Sequence, residues 1–164
     1  MARLFIAVWP PEDVVATLGR LRLENLQGIR FVQPANWHIT LRFFGDADSD
    51  EVSRALAGTS FPPTRARIGP GIGVIAGRVL VAPVEGLEVL AAMVSERTDQ
   101  IGEPPRQPFR GHLTLARAKQ GASMRDARGT RVDAEFAVDE IALVSTRLDR
   151  DGARYETIES WRVG

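Results

Sequence analysis

Short apolar runs alternate with longer, polar-interrupted stretches along this chain. The first run, Arg3-Leu4-Phe5-Ile6-Ala7-Val8-Trp9, has no polar alternation and stops at Pro10-Pro11, the pattern of a buried strand. Pro11-Glu12-Asp13 then predicts a helix start, with proline in the first turn and acids at the positive end of the helix dipole. Val14, Val15, Leu18, Leu21 and Leu23 follow at roughly helical spacing, and Gly28 closes the segment. Pro34 breaks 31–37 into a loop or short extended piece, and a strand is predicted over 38–44, ended by Gly45-Asp46. Asp48-Ser49-Asp50-Glu51 is an N-cap signal for a helix that carries Val52, Ala55 and Leu56 on one side and ends near Gly58. Short strands are predicted over 65–68 and 73–76, and another over 78–82, stopped at Pro83. The clearest helical stripe is Leu87, Leu90, Ala91, Val94, Thr98 and Ile101, with Gly102 beyond it. A proline-rich loop over 103–111 leads into a strand over 112–117. After a polar, basic stretch at 119–131, strands are predicted over 134–138 and 140–149, with a last one from 154 after the turn at 150–152.

The order of these elements repeats. Arg3-Leu4-Phe5-Ile6-Ala7-Val8 is similar to Arg78-Val79-Leu80-Val81-Ala82, and each is followed by a helix, a glycine, a proline-containing loop and a strand that begins with histidine. Arg3 precedes His38 by 35 positions and Arg78 precedes His112 by 34. The expectation is one domain over 1–164 built from two copies, about 3–77 and 78–164. Strands joined by helices and hairpins, without regular strand–helix–strand alternation, predict an α+β class: two pseudo-symmetric lobes with mainly antiparallel sheets, flanked by helices, around a central cleft.

The repeated strands carry the candidate chemistry. His38-Ile39-Thr40-Leu41 and His112-Leu113-Thr114-Leu115 are one pattern written twice, and they contain both histidines of the protein. Side chains two apart on a strand share a face, so each copy presents an imidazole beside a hydroxyl, with apolar residues behind. Two histidines across a phosphorus can divide acid and base roles, each typically worth about 10²–10⁴-fold, and threonine hydroxyls can hold non-bridging oxygens. Alternation places Arg42 on the face of His38, where it could add charge to a phosphate site. Arg117 is out of register and falls on the other face unless the strand twists or ends. Trp9, Trp37, Phe43, Phe44 and Phe109 are read as core rather than as surfaces for stacking.

Composition narrows the classes. Lys+Arg and Asp+Glu are both 21, so affinity for a polyanion must come from local clustering rather than net charge. The basic set is arginine except for Lys119; Arg125, Arg128 and Arg131 fall in one stretch that could meet an RNA backbone. The absence of cysteine excludes disulfides and thiolate chemistry. Two histidines fall short of the usual three nitrogen or sulfur ligands of catalytic zinc unless a carboxylate completes the set, so no metal and no cofactor are expected. The first thirteen residues do not read as a secretory signal and no stretch reads as a membrane span, so a cytoplasmic monomer without membrane contact is expected.

With these motifs the chain resembles the 2H phosphoesterase superfamily, and within it the RNA 2′,3′-cyclic phosphodiesterases, also called 2′-5′ RNA ligases. The resemblance spans the opening strand, Asn36-Trp37-His38-Ile39-Thr40-Leu41-Arg42-Phe43-Phe44-Gly45, Pro108-Phe109-Arg110-Gly111-His112-Leu113-Thr114-Leu115-Ala116-Arg117 and the closing Leu148…Gly152-Ala153-Arg154-Tyr155. It implies a bilobal α+β fold and hydrolysis of a terminal 2′,3′-cyclic phosphate to a 2′-phosphomonoester. RNA ends or cyclic nucleotides would be the partners, His38 the general acid, His112 the general base, and Thr40 and Thr114 the phosphate holders. Some members join tRNA halves through a 2′-5′ linkage, so an RNA-end-binding or ligase role is the competing reading, and a degenerate scaffold for protein contacts the third. Gly111 departs from the proline usual before the second histidine, which is expected to loosen the strand entry.

Overall fold

The computed structural model describes residues 2–21, 23, 28–119, 124 and 127–164. Ten strands and three α-helices follow one another as β1 (Ala2–Val8), α1 (Glu12–Gly19), β2 (Ile29–Phe31), β3 (Ile39–Ala47), α2 (Ser49–Leu56), β4 (Arg65–Ile68), β5 (Gly73–Ile75), β6 (Val79–Glu85), α3 (Glu88–Arg97), β7 (His112–Ala118), β8 (Ala134–Ala137), β9 (Glu140–Asp149) and β10 (Gly152–Arg162), with a 3-10 turn at Pro34–Asn36 between β2 and β3. The sheet runs β10-β9-β1-β3-β7-β6-β4-β8, with β2 against β7 and β5 against β6. Every strand pair is antiparallel, so the class is α+β as expected.

Two four-strand groups, β10-β9-β1-β3 and β7-β6-β4-β8, meet at the single pair Ile39↔Leu113. These lobes do not coincide with the two sequence copies, one lobe per copy. β9 and β10, from the second copy, complete the sheet beside β1, while β2, β4 and β5, from the first, pair with β6, β7 and β8. The cause is edge pairing. β1 and β6 each give one edge to the motif strand of their own copy; β9 takes the other edge of β1, and β5 and β4 divide that of β6.

One face of the sheet is covered. Leu4, Ile6 and Val8 of β1, Ile39 and Phe44 of β3, and Leu113 and Leu115 of β7 join Val14 and Leu18 of α1, Val52 and Leu56 of α2, and Leu90, Ala91 and Val94 of α3 in one buried cluster. Among the described residues the opposite face carries a small cluster, Phe5, Ala7, Ala142 and Val144 with Trp9 and Tyr155 against it. His38, Thr40, His112 and Thr114 belong to this open face.

Local departures from the expected elements have physical causes. α1 ends at Gly19 rather than near Gly28, and residues 24–27 of that expected helix lie outside the described set. α3 ends at Arg97, where the Thr98 hydroxyl donates to the Val94 carbonyl (2.5 Å). β3 continues through Gly45, which takes φ +69°, to Ala47. Pro83 lies inside β6: its carbonyl accepts from the Gly69 N–H (3.0 Å) and the next N–H, of Val84, donates to the Gly111 carbonyl (2.9 Å), so the missing donor breaks no ladder. The Asp48 cap is as the sequence predicts, its carboxylate accepting from the Asp50 N–H (2.9 Å). Among the described residues no helix is long and apolar enough to cross a membrane.

Each motif strand also carries one extra residue just after its threonine. Ala7 pairs with Thr40 but Ile6 pairs with Arg42, so Leu41 is bulged. Val81 pairs with Thr114 but Leu80 pairs with Ala116, so Leu115 is bulged. The β7 bulge moves Ala116 to Ala118 to the opposite face, and the β3 bulge moves Arg42 to Phe44, after which a second extra residue, Phe44, between the pairs Phe5↔Phe43 and Leu4↔Gly45 restores the original alternation.

Candidate active site

The pair Ile39↔Leu113 fixes the arrangement of the motifs. Counting one residue either way in an antiparallel pair sets His38 opposite Thr114 and Thr40 opposite His112. Ile39 and Leu113 are both 0% exposed and point into the core, so the four polar side chains share the open face. The imidazoles are diagonal neighbours, a relation that spaces residues about 7–8 Å apart. A group the size of phosphate can therefore lie between them, with a hydroxyl beside each.

Both rings are oriented alike. Nδ1 of His38 is 2.7 Å from the Asn36 carbonyl and Nδ1 of His112 is 2.7 Å from the Arg110 carbonyl. A carbonyl only accepts, so each Nδ1 donates its N–H, and neither Nε2 has a hydrogen-bond partner among the described residues, which leaves it to take or give a proton. Beyond this the two differ. His38 packs among Phe5 (4.9 Å between centroids), Tyr155 (5.1 Å) and Trp9 (5.6 Å). Burial in this cage pushes its pKa below the ordinary imidazole value; the Asn36 carbonyl works against that, and the charges of His112 and Arg117 lower it further. His112 is half-buried, without an aromatic ring stacked on it among the described residues.

Thr40, His112, Thr114, Arg3, Phe43 and Arg117 line a hollow of about 790 Å³, with the proline-rich loop from Glu103 to Arg110 as its far wall. His38 itself is not among the lining residues and sits in the cage just described.

The bulges exchange the two arginines expected at the site. Arg42 still borders the hollow, but it is carried to the core face, where it is 3% exposed. Its Nη1 donates to the Thr98 hydroxyl (2.7 Å) and to the Thr98 and Ser95 carbonyls, and its Nη2 to the carbonyls of Ile101 (2.9 Å) and Glu103. The expected place of Arg42 beside His38 is thus corrected. The guanidinium caps the end of α3 and holds the start of the loop that walls the hollow. Arg117 moves the other way. Paired with Val79, it emerges on the face of Thr114, where its charge reaches His38. Phe43, expected in the core, is turned by the same bulge as Arg42; it is 42% exposed, with the Arg3 guanidinium 5.1 Å from its ring centroid. Trp9 and Phe109 are half-buried at the cage and the loop, whereas Phe44 and Trp37 are core. Lys119, Arg128 and Arg131 do not line the hollow, and Arg125 lies outside the described residues.

Gly111 does not loosen the strand entry. A Cβ there would sit 2.2 Å from the Val84 carbonyl oxygen, so the absent side chain lets β7 start in contact with β6. Sequence reasoning missed Phe5 and Tyr155 as walls around His38, since β1 and β10 are distant in the chain. It also missed the carbonyls of Asn36 and Arg110, although their shared position two residues before each histidine is a readable signal. Among the described residues no group of three or more His, Cys, Asp or Glu is placed to hold a metal.

Comparison with known proteins adds three findings. Residues 10–150 match the model of the 2′-5′ RNA ligase superfamily. The chain is 30% identical to an RNA 2′,3′-cyclic phosphodiesterase of Thermus thermophilus, across 98% of this chain and 90% of that one, and 24% identical to an RNA 2′,3′-cyclic phosphodiesterase of Methanocaldococcus jannaschii, across 97% and 99%. A crystal structure of a Thermus thermophilus protein superposes with a TM-score of 0.85 at 30% identity, covering 98% of this chain and 97% of that one.

Proposed function

We propose, from the premise that this chain belongs to the 2′-5′ RNA ligase superfamily, that it hydrolyses 2′,3′-cyclic phosphates of RNA ends or nucleosides to 2′-phosphomonoesters. The relatives that match over nearly the whole chain are named for that activity. The observation that carries the reading is the antiparallel apposition of the two motifs, each with its Nδ1–H tied back and its Nε2 free.

The proposed steps use these groups in turn. Nε2 of His112 takes a proton from water as the water oxygen bonds to phosphorus. The bond from phosphorus to the 3′-oxygen breaks, and the leaving oxygen takes the proton from Nε2 of His38. Thr40 and Thr114 donate to the non-bridging oxygens, and Arg117 adds positive charge as negative charge builds on them. Local two-fold symmetry alone would let the histidines exchange roles. The cage around His38 breaks that symmetry, because a lowered pKa makes its imidazolium the stronger acid toward a departing alkoxide. The phosphate's own charge then favours the protonated ring once substrate is bound. These groups need no metal ion, and all come from one chain, which supports action as a monomer.

The test is turnover of a nucleoside 2′,3′-cyclic phosphate in EDTA, with product position read by phosphorus NMR. The 2′-phosphate is expected, and His38→Ala and His112→Ala are each expected to reduce kcat more than about a hundredfold. If neither this compound nor a short RNA ending in a cyclic phosphate turns over, the chain instead holds or joins RNA ends.

A further inference from the structure

β2 continues the edge of β7 that β3 leaves. Past Ile39↔Leu113 the pairs are Phe31↔Ala116, Arg30↔Arg117 and Ile29↔Ala118. Ala116 and Ala118 belong to the core cluster and Ile29 packs against it, so the pair between them, Arg30 and Arg117, points to the open face. The open face therefore carries a ladder of three rungs, Thr40 with His112, His38 with Thr114, and Arg30 with Arg117, of which Arg30 stands beyond the hollow that Arg117 lines. Because Leu115 is bulged, the third rung lies one same-face step beyond the second, about 7 Å along the strand.

Like charges directly opposite each other in an antiparallel pair are destabilising unless an anion joins them. Among the described residues neither arginine takes a carboxylate; the ion pairs there join Arg65 to Glu135, Arg106 to Glu103 and Arg154 to Asp149. Both are exposed. Nη2 of Arg30 lies against the β9–β10 turn, 3.5 Å from where a Cβ on Gly152 would be. The same hairpin is tied to the first motif by the Asn36 side chain, which donates to the Ala153 carbonyl (3.3 Å).

We propose that the Arg30–Arg117 rung is a second phosphate subsite, which takes the 5′-phosphoryl group of the nucleotide whose cyclic phosphate lies on the first two rungs. The inference rests on the cyclic phosphodiesterase reading and narrows its substrate class. Nucleotides with a 5′-phosphoryl group, whether a free monoester or the diester link to a preceding nucleotide, are preferred over bare nucleoside cyclic phosphates. Arg117 faces both phosphates, while Arg30 serves the second alone.

Three substrates separate the possibilities: adenosine 2′,3′-cyclic phosphate, the same compound with a 5′-phosphate, and a dinucleotide ending in it. In wild type, kcat/KM is expected to rise at least about tenfold with the 5′-phosphate, mainly through KM, the least that one charge-assisted contact supplies. Arg30→Gln is expected to abolish that gain and to leave the bare nucleoside cyclic phosphate within about twofold of wild type. A gain with the dinucleotide alone would show that the rung reads the diester; a gain with the monoester alone would show a mononucleotide site. Equal kcat/KM for all three substrates in wild type, or an equal loss on all three in Arg30→Gln, would overturn the subsite while leaving the hydrolysis reading intact. Binding is read in parallel with adenosine 2′-phosphate and adenosine 2′,5′-bisphosphate. An Arg30-dependent preference for the bisphosphate is expected even if no substrate turns over, and then only the hydrolysis reading fails. No preference would count against the subsite.

Discussion

Arg42 and Arg117 show how one backbone residue decides a side chain's task. Both are arginines just past a His-x-Thr segment; one is buried over five backbone and hydroxyl oxygens and the other faces the site. Arg42→Met removes a buried cation and leaves carbonyls unpaired, so it is expected to cost about 2–4 kcal/mol of stability, read as a lower Tm or urea midpoint. Arg117→Gln is expected to leave Tm within a degree or two and to lower kcat/KM about tenfold or more. His38 supplies a prediction in pH. Its folded pKa lies below the unfolded value of 6.5, so the stability linked to it is full above about pH 6.5 and is lost as pH falls through that value toward the folded pKa. Urea unfolding across that range should show the loss in wild type and less of it in His38→Gln. Under the proposed acid role, His38 sets the alkaline limb of kcat/KM, which is expected to begin below the ordinary imidazole value, with the limb for kcat displaced upward by the bound phosphate. A kcat/KM profile still rising above pH 7.5 would assign the acid role elsewhere.

At the scale of elements, the motif strands were legible and their bulges were not. His-x-Thr alternation needs only period two, and Ile39, Leu41, Leu113 and Leu115 behind the polar pairs made the buried face plain. No residue type marks Leu41 or Leu115 as the extra one; pairing with Ile6–Ala7 and Leu80–Val81 sets the shift, so Arg42 and Phe43 were assigned to the wrong faces. Tyr155 was legible as part of a hairpin but not as a wall of the site, because the β9–β10 hairpin reaches His38 only through the pairing of β9 with β1. The expected loosening at Gly111 failed for a similar reason: the neighbour that demands glycine is the Val84 carbonyl of another strand. Gly111→Ala is expected to cost about 1–3 kcal/mol by overpacking, measured by denaturant unfolding, and to lower kcat by moving His112 away from its partner rung.

Across the whole molecule, the antiparallel α+β class and its two lobes followed from the order of elements, whereas the assignment of strands to lobes did not. Pairing across the copies makes the site depend on both ends of the sheet. Tyr155→Ala, in the closing hairpin, is expected to raise the His38 pKa toward its ordinary value by admitting water to the cage, and so to shift the alkaline limb of kcat/KM upward while Thr40, Thr114 and His112 stay in place. A change in rate without a shift of that limb would mean that the ring acts on substrate rather than on His38.

The seating of β9 and β10 beside β1 also bears on synthesis. Both His-x-Thr segments leave the ribosome before the strand that covers the free edge of β1 has been made. A nascent chain that has both histidines still presents the free edge of β1 and a His38 without its Tyr155 wall, a form open to pairing with a neighbour on the same message. Translation must run through the closing hairpin before His38 acquires its Tyr155 wall, so prematurely terminated chains carry both motifs without the complete cage.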